Sequence, residues 1–493
     1  MGIDIDKTTF DEADYTDFSA RLTDNLVALE TLLARPGFGE SAGSLGAELE
    51  IYIVDGQGRP LHRNEEILAI ANDSQLTLEL NRYNLEYNLS PYGLGQRPFE
   101  STEREILEKL ALATELAAPF GGRVVATGIL PTLTQGDFGR HSMTDRKRYQ
   151  ALVRQLVQRR GGDFNIDING VEPLSLAMAD ITLEGANTSF QVHYRVDPAV
   201  YADTFNAFQL MTPVALALAA NSPTLFGHQL WQETRIPLFK QSIDTRHTDR
   251  YSWHEPARVN FGNGWVRRGA WELFAEAARL YPPLLPLCSA ESAEQQLARG
   301  QIPGLDELRL HQSTVWLWNR PIYDDADGGH LRIEMRALPA GPTALDMVAN
   351  AAFLIGLAEG VRPQINELMP GLPFSMAEYN FYRAAQHGLQ AKLLWPSLEQ
   401  SGCAEQTVTT LVEALLPLAR DGLLSIGISA QEASRYLGVI EARLTVGRNG
   451  ADWQLATLAQ LENKLSRREA LQAMLEKYMV HSAENRPVAE WPL

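Results

Sequence analysis

The feature that most constrains this chain is a period-two alternation beginning at Gly46. Leu45, Ala47, Leu49, Ile51 and Ile53 interleave with Glu48, Glu50 and Tyr52, and the turn Asp55-Gly56-Gln57-Gly58 closes the run. Successive side chains of a strand point to opposite faces, so the apolar set can be buried together only if Glu48 and Glu50 project side by side from the other face, roughly 6.6 Å apart. The theme recurs far along the chain. In the strand region 76–91, which has Glu79 near its start, Leu85, Tyr87 and Leu89 alternate with Asn84, Glu86, Asn88 and Ser90 before Pro91. Residues 187–196 place Gln191, His193 and Arg195 opposite Phe190, Val192 and Tyr194. A hairpin is expected from 310–323 and 331–338 around the turn 324–329, with Arg332, Glu334 and Arg336 sharing one face.

Helical periodicity fills much of the remainder. Phe18, Leu22, Leu26, Leu29 and Leu33 predict a helix over 16–33 that Pro36-Gly37 stops. Ser101, followed by Glu103 and Glu105, reads as the cap of a helix reaching Ala118, and a strand is expected over 123–129. Further helices are expected over 204–220, with Pro213 inside, and over 343–359. Beyond about Pro373 strand signals vanish and the pattern is helical. The fold class expected is therefore α+β, with a core over 1–373 and a helical C-terminal segment over 374–493 packed on it.

Composition narrows the function. A formal charge of -18 without a long Lys/Arg run argues against nucleic acid as the main partner. Small anions can still be held by local arginines and cations. The two cysteines, Cys288 and Cys403, have no zinc spacing and build no disulfide framework. The acidic start, Met1 to Asp6, does not read as a secretory signal. The most apolar stretches, 211–220 and 347–357, fall short of the roughly 20 residues of a membrane helix. A cytoplasmic protein without a membrane partner is expected. Gly39-Glu40-Ser41-Ala42-Gly43 matches a nucleophile elbow in letters only, because it precedes a strand and does not join a strand to a helix. Gly262-Asn263-Gly264 lacks a third glycine, no phosphate loop of the GxxxxGK[ST] kind is present, and His254-Glu255 lacks the second histidine of a zinc protease. A nucleotide would have to be held by the sheet and by metal ions.

What remains is a set of acidic and imidazole side chains on strand faces. Carboxylates gathered on one face repel and raise one another's pKa unless a cation lies between them, and hard divalent ions with oxygen ligands are the natural partner. Each piece alone has a plain alternative. A single Glu-x-Glu strand is usually a solvated face, a buried histidine is usually a satisfied core residue, and Arg332, Glu334 and Arg336 would suit surface ion pairs of little worth.

As an ordered set, however, Gly46-Ala47-Glu48-Leu49-Glu50, Asn84-Leu85-Glu86-Tyr87-Asn88, Gln191-Val192-His193 and Arg332-Ile333-Glu334-Met335-Arg336 resemble the carboxylate-amine ligases of glutamate-cysteine ligase type 2, relatives of glutamine synthetase. The resemblance runs from about Phe18 to Gly360. It implies a funnel of about six antiparallel strands flanked by helices, and an enzyme that uses ATP and Mg2+, with Mn2+ as an alternative. Glu48, His193 and Glu334 would hold one ion against the nucleotide phosphates, with Arg332 beside the nucleotide. Glu50, Glu79 and Glu86 would hold the other ion beside the substrate carboxylate. Arg336 is the candidate for the transferred phosphoryl group and Arg235 for the α-carboxylate of glutamate; either would also suit a structural ion pair. Asn88 would donate hydrogen bonds in the cleft. Trp316 and Trp318 share a strand face and are expected to pack, with one of them a candidate for the border of the base. The reaction implied joins the side-chain carboxyl of glutamate to an amine through a γ-glutamyl phosphate. Cysteine, as in glutathione biosynthesis, is the leading acceptor. Pro339-Ala340-Gly341-Pro342 stands where many relatives carry an Asp and Asn-Pro-Phe segment, which keeps two alternatives in view: a different amine, or a relative that binds nucleotide or glutamate without turnover.

Overall fold

The computed structural model describes residues 5–40, 43–246, 256–396 and 403–493; Ser41 and Ala42 of the elbow-like stretch, His254-Glu255 and residues 1–4 lie outside the described residues. Six strands build the central sheet: β1 (Ser44–Val54), β2 (Leu76–Leu78), β3 (Asn84–Asn88), β4 (Phe190–Val196), β5 (Asn319–Asp324) and β6 (His330–Met335). Their order is β5-β6-β4-β1-β3-β2. Every neighbouring pair is antiparallel. The short strands Tyr92–Gly93 and Arg123–Val125 also pair with β1. Helices flank this half-barrel, and the C-terminal region is helical, so the architecture is α+β.

The alternation in β1 is realised in full. Leu45, Ala47, Leu49, Ile51 and Ile53 are buried. Burial of each large aliphatic side chain stabilises by about 1.5–3 kcal/mol. A slip of one residue would turn that set into the opposite face, so the hydrophobic pattern also fixes where Glu48 and Glu50 point. On the apolar side Tyr194 of β4 meets Phe208 of the helix Tyr201–Ala219 edge to face, ring centroids 5.8 Å apart. That helix is buried along almost its whole length and runs through Pro213.

Several boundaries differ from the expectation. The 101–118 helix starts a turn earlier, at Pro98, because proline has no N–H to leave unpaired in the first turn. The 123–129 strand stops at Val125, and 76–91 divides into β2 and β3 with Glu79 between them. Residues 310–312 end the helix Asp306–Gln312 and do not join the hairpin. Trp316–Leu317 instead pairs in parallel with Val259–Asn260. The C-terminal region, helical in pattern, also carries the antiparallel pair Lys392–Pro396 and Cys403–Thr407, whose alternation is too short to stand out among helices. Among the described residues one helical run, Ala344–Gly371, is long and apolar enough to cross a membrane, with mean hydropathy 1.5, but 89% of that window is buried inside the protein.

That run packs on the helix Val408–Ser425 through glycines. A Cβ added at Gly422 would lie 2.0 Å from the Gly356 carbonyl oxygen, and one at Gly356 would lie 2.4 Å from the Ala419 oxygen. The helices can approach this closely only without side chains at the crossing. Gly422→Ala is expected to destabilise the protein by about 1–3 kcal/mol, as overpacking does, read as a lower midpoint in urea unfolding.

Candidate active site

Strand register brings the acidic side chains together. Glu334 of β6 lies opposite His193 of β4, and His193 opposite Gly46 of β1. One step along, Glu48 faces Gln191 on one side and Asn88 on the other. Next, Glu50 faces Glu86 of β3, and Glu86 faces Thr77 of β2. Directly opposed residues share a face. Glu48, Glu50, Glu86, Thr77 and Gln191 line one cavity of about 470 Å3, whose walls also include Glu79, Glu184, Arg320, Arg336, Tyr149 and Trp316; His193 and Glu334 sit on the same sheet face at its border and do not line it.

Two trios of candidate metal-ligand atoms result, Glu48 with His193 and Glu334, and Glu50 with Glu79 and Glu86, the atoms of each trio lying within 4.8 Å of one another. His193 Nε2 stands 3.2 Å from Glu48 Oε1 and 3.8 Å from Glu334 Oε1. Neither ring nitrogen of this buried histidine has a hydrogen-bond partner, which fits a ligand better than a satisfied core residue. Carboxylate and imidazole donors also suit a divalent cation chemically.

The trios differ in charge balance. Glu334 is bound by Arg320 through Nε and, at 2.9 Å, through Nη2, and by Arg336 Nη1 at 2.8 Å. Burial opposes its ionisation, but Arg320, Arg336 and His193 outweigh it and hold Glu334 well below the usual carboxylate range. At Glu48 burial likewise pushes up, and the charge of the adjacent His193 holds it down at about 2. In the second trio burial outweighs the compensation. Burial drives Glu50 up to about 7 in spite of Arg336 and Arg235. Burial and the charge of Glu48 drive Glu86 to about 7. Glu79 is raised well above its ordinary value by burial and by Glu86, Glu50 and Glu184. Glu50 is also oriented by Ser189 N at 2.6 Å and Gln191 Nε2 at 2.7 Å, and Asn88 Nδ2 donates to Glu86 at 3.0 Å.

The arginines divide differently from the expectation. Arg336 is in the cavity and also donates to Gln191 Oε1. Arg332 is held by Asp324 at 2.8 Å and by His330 Nε2 at 2.8 Å, beside the trio and not among the cavity walls. Arg235 does not line the cavity; it is buried, with its guanidinium engaged by Glu233 and by main-chain carbonyls. Trp318 packs in the core against Phe239 and Phe381, whereas Trp316 borders the cavity. Sequence reasoning missed Arg320 and Glu184. Arg320 lies directly opposite Glu334 in the β5–β6 pair, so the hairpin register would have found it. Glu184 sits in the irregular turn Thr182–Ala186, where no periodicity marks it; burial lifts it to about 7 against the pull of Arg336.

These charges make a thermal-shift prediction. Below the ordinary value of 4.5 the three carboxyls of the second trio are protonated whether folded or unfolded. As pH rises past that value the unfolded chain ionises while the folded one retains its protons, so their contribution to stability falls until the raised values are passed. A divalent cation reverses that loss by favouring the ionised carboxylates in the folded state. The gain in Tm on adding Mg2+ or Mn2+ is expected to be larger at pH 8 than at pH 5, and to shrink in Glu79→Gln.

Comparison with known proteins agrees with this picture. Residues 44–267 match the model of glutamate-cysteine ligase family 2 (GCS2). Among solved structures, the glutamate-cysteine ligase of Francisella tularensis in complex with AMP is similar over 92% of this chain and 91% of its own, at 12% identity and a TM-score of 0.51. A bifunctional glutathione synthetase from Pasteurella multocida aligns at 11% identity and a TM-score of 0.45, over 94% of this chain and 55% of its own, so the chain spans about half of that protein. No curated protein matches the sequence. At such identities the likeness to solved structures concerns the fold. The match to the glutamate-cysteine ligase family 2 model takes in five of the six grouped side chains, with Glu334 beyond its end.

Proposed function

We propose that the protein is an ATP-dependent carboxylate-amine ligase that makes a γ-glutamyl amide. The observation that carries this reading is the pairing of two trios of ligand atoms, each within 4.8 Å, on one sheet face within a family of such ligases. The catalytic unit would span 1–373, with 374–493 packed on it. Glu48, His193 and Glu334 would hold one divalent ion, and Glu50, Glu79 and Glu86 another. Such ions, Mg2+ or Mn2+, supply positive charge that lets two anions approach.

In the reaction a side-chain carboxylate oxygen of glutamate attacks the terminal phosphorus of ATP and ADP leaves. The amine nitrogen then attacks the acyl carbon, phosphate leaves with the bonding electrons, and the nitrogen loses a proton. The chain's own work is to position and to neutralise. Arg336, already oriented by Glu334 and Gln191, presents a planar fork to the transferred phosphoryl group. Arg320 keeps Glu334 ionised and fixed. Tyr149, Leu152 and Leu156 give the cavity shared with the second trio an apolar wall, which would limit access of the water that hydrolyses an acyl phosphate.

Cysteine is the acceptor that the family's name supports. An amine other than cysteine is a second reading, favoured by the apolar part of the cavity wall, Leu152, Leu156, Ile181 and Ile243. The test is phosphate release with ATP, Mg2+, glutamate and separate amines, including cysteine, ammonia and methylamine. Glutamate-dependent release that rises with one amine is expected. Binding of ATP without any release would overturn the enzyme reading in favour of a sensor. Glu334→Gln is expected to lower release by at least about a hundredfold, the scale of losing one preorganised charge in a dry site, with its circular dichroism unchanged.

A further inference from the structure

The main chain that leaves β6 after Arg336 is held from two sides. From one side, Arg235 Nη1 donates to the Ala337 carbonyl at 3.1 Å and Nη2 to the Arg336 carbonyl at 3.4 Å, while Nη1 also pairs with Glu233 at 3.0 Å. Glu233 in turn accepts from Asn221 N at 2.8 Å and Ser222 Oγ at 2.7 Å. Asn221 Nδ2 donates to the Ala340 carbonyl and to Tyr478 Oη, both at 2.8 Å.

Tyr478 belongs to the C-terminal helix Arg467–Ala483 and closes the clamp from the other side, donating to the Ala126 carbonyl at 2.9 Å. Gly341 lies directly beneath it. A Cβ there would sit 2.3 Å from both Tyr478 Oη and Ala126 O, and its φ of +78° disfavours any other residue. Ser482 Oγ of the same helix donates to the Pro342 carbonyl at 2.6 Å, and Gln454 Nε2 of the preceding helix holds Asn221 Oδ1 at 2.8 Å. The Pro339-Ala340-Gly341-Pro342 stretch, which sets this chain apart from the ligases it resembles, is thus the segment on which the C-terminal helices close.

Resting on the ligase reading above, we propose that Arg235 and Tyr478 are positioning residues: they fix the main chain from Arg336 to Pro342 and so aim the Arg336 side chain at the transferred group. Neither touches the cavity, and both are fully buried. An error of about 1 Å in a group that meets the transition state costs up to about a hundredfold in rate. A loosened clamp would therefore lower kcat much more than it raises KM.

The test compares kcat and KM for ATP and for glutamate in the full chain and in Tyr478→Phe, Arg235→Met and Arg235→Lys. Tyr478→Phe removes a single oxygen and is the variant expected to fold; Arg235→Met leaves the Glu233 charge unpaired, and Arg235→Lys keeps a donor for the same carbonyls. The expected result is a fall in kcat of about tenfold or more in Tyr478→Phe and Arg235→Met. Both KM values should change less than about twofold, and Arg235→Lys should recover part of kcat. Tyr478→Phe with a native melting transition and unchanged kcat overturns the proposal, as does a loss of activity that only tracks the unfolded fraction. Absence of glutamate-dependent phosphate release in the unaltered chain overturns the ligase reading and this proposal together. Release there with full kcat in the variants overturns the proposal alone.

Discussion

The structure is organised around the repulsion of carboxylates that share one concave sheet face. Glu48, Glu50 and Glu86 are fixed on that face by the pleat, because their apolar neighbours in β1 and β3 are committed to the core. No rotation of a strand relieves the crowding without exposing that core. The remaining solution is to bring positive charge to the face, and the protein does so on one half only.

On the β5-β6-β4 side, Arg320, Arg336 and His193 compensate Glu48 and Glu334. On the β1-β3-β2 side, burial outweighs the guanidinium charges within reach and raises Glu50, Glu79, Glu86 and Glu184 above the ordinary carboxylate range. This asymmetry suits a site in which two reacting anions must be drawn together. Fixed guanidinium groups orient one half, and on the ligase reading proposed above the other half would receive a cation with its substrate. The helices behind the sheet and at the C-terminus then serve to keep the strand carrying Glu334 and Arg336 in place.

Much of this was legible in the sequence because strands announce their faces. The alternations in 45–53, 84–89 and 190–196 located β1, β3 and β4; the grouping of the acids into two sets came from the family resemblance, and the same side chains lie with their ligand atoms within 4.8 Å in the structure. Glu79 was assigned with less support and lies between β2 and β3, in no strand at all. What escaped was whatever depends on pairing or on irregular backbone. Arg320 is invisible without the register that opposes it to Glu334, and Glu184 lies in a turn. Arg235 is a case of the same kind: a short Glu-Thr-Arg motif does not reveal that the guanidinium is taken up by Glu233 and main-chain carbonyls. The expected hairpin began too early because Leu310, the apolar residue that opened it, serves equally well near the end of the helix Asp306–Gln312.

The central claim is that six dispersed side chains converge to hold two divalent cations. Its most direct measurement is the anomalous scattering of crystals grown with Mn2+ and a non-hydrolysable ATP analogue. Two strong peaks are predicted, one among Glu48, His193 and Glu334 and the other among Glu50, Glu79 and Glu86. Manganese bound elsewhere, with both trios free of anomalous density while the analogue occupies the cavity, would contradict it.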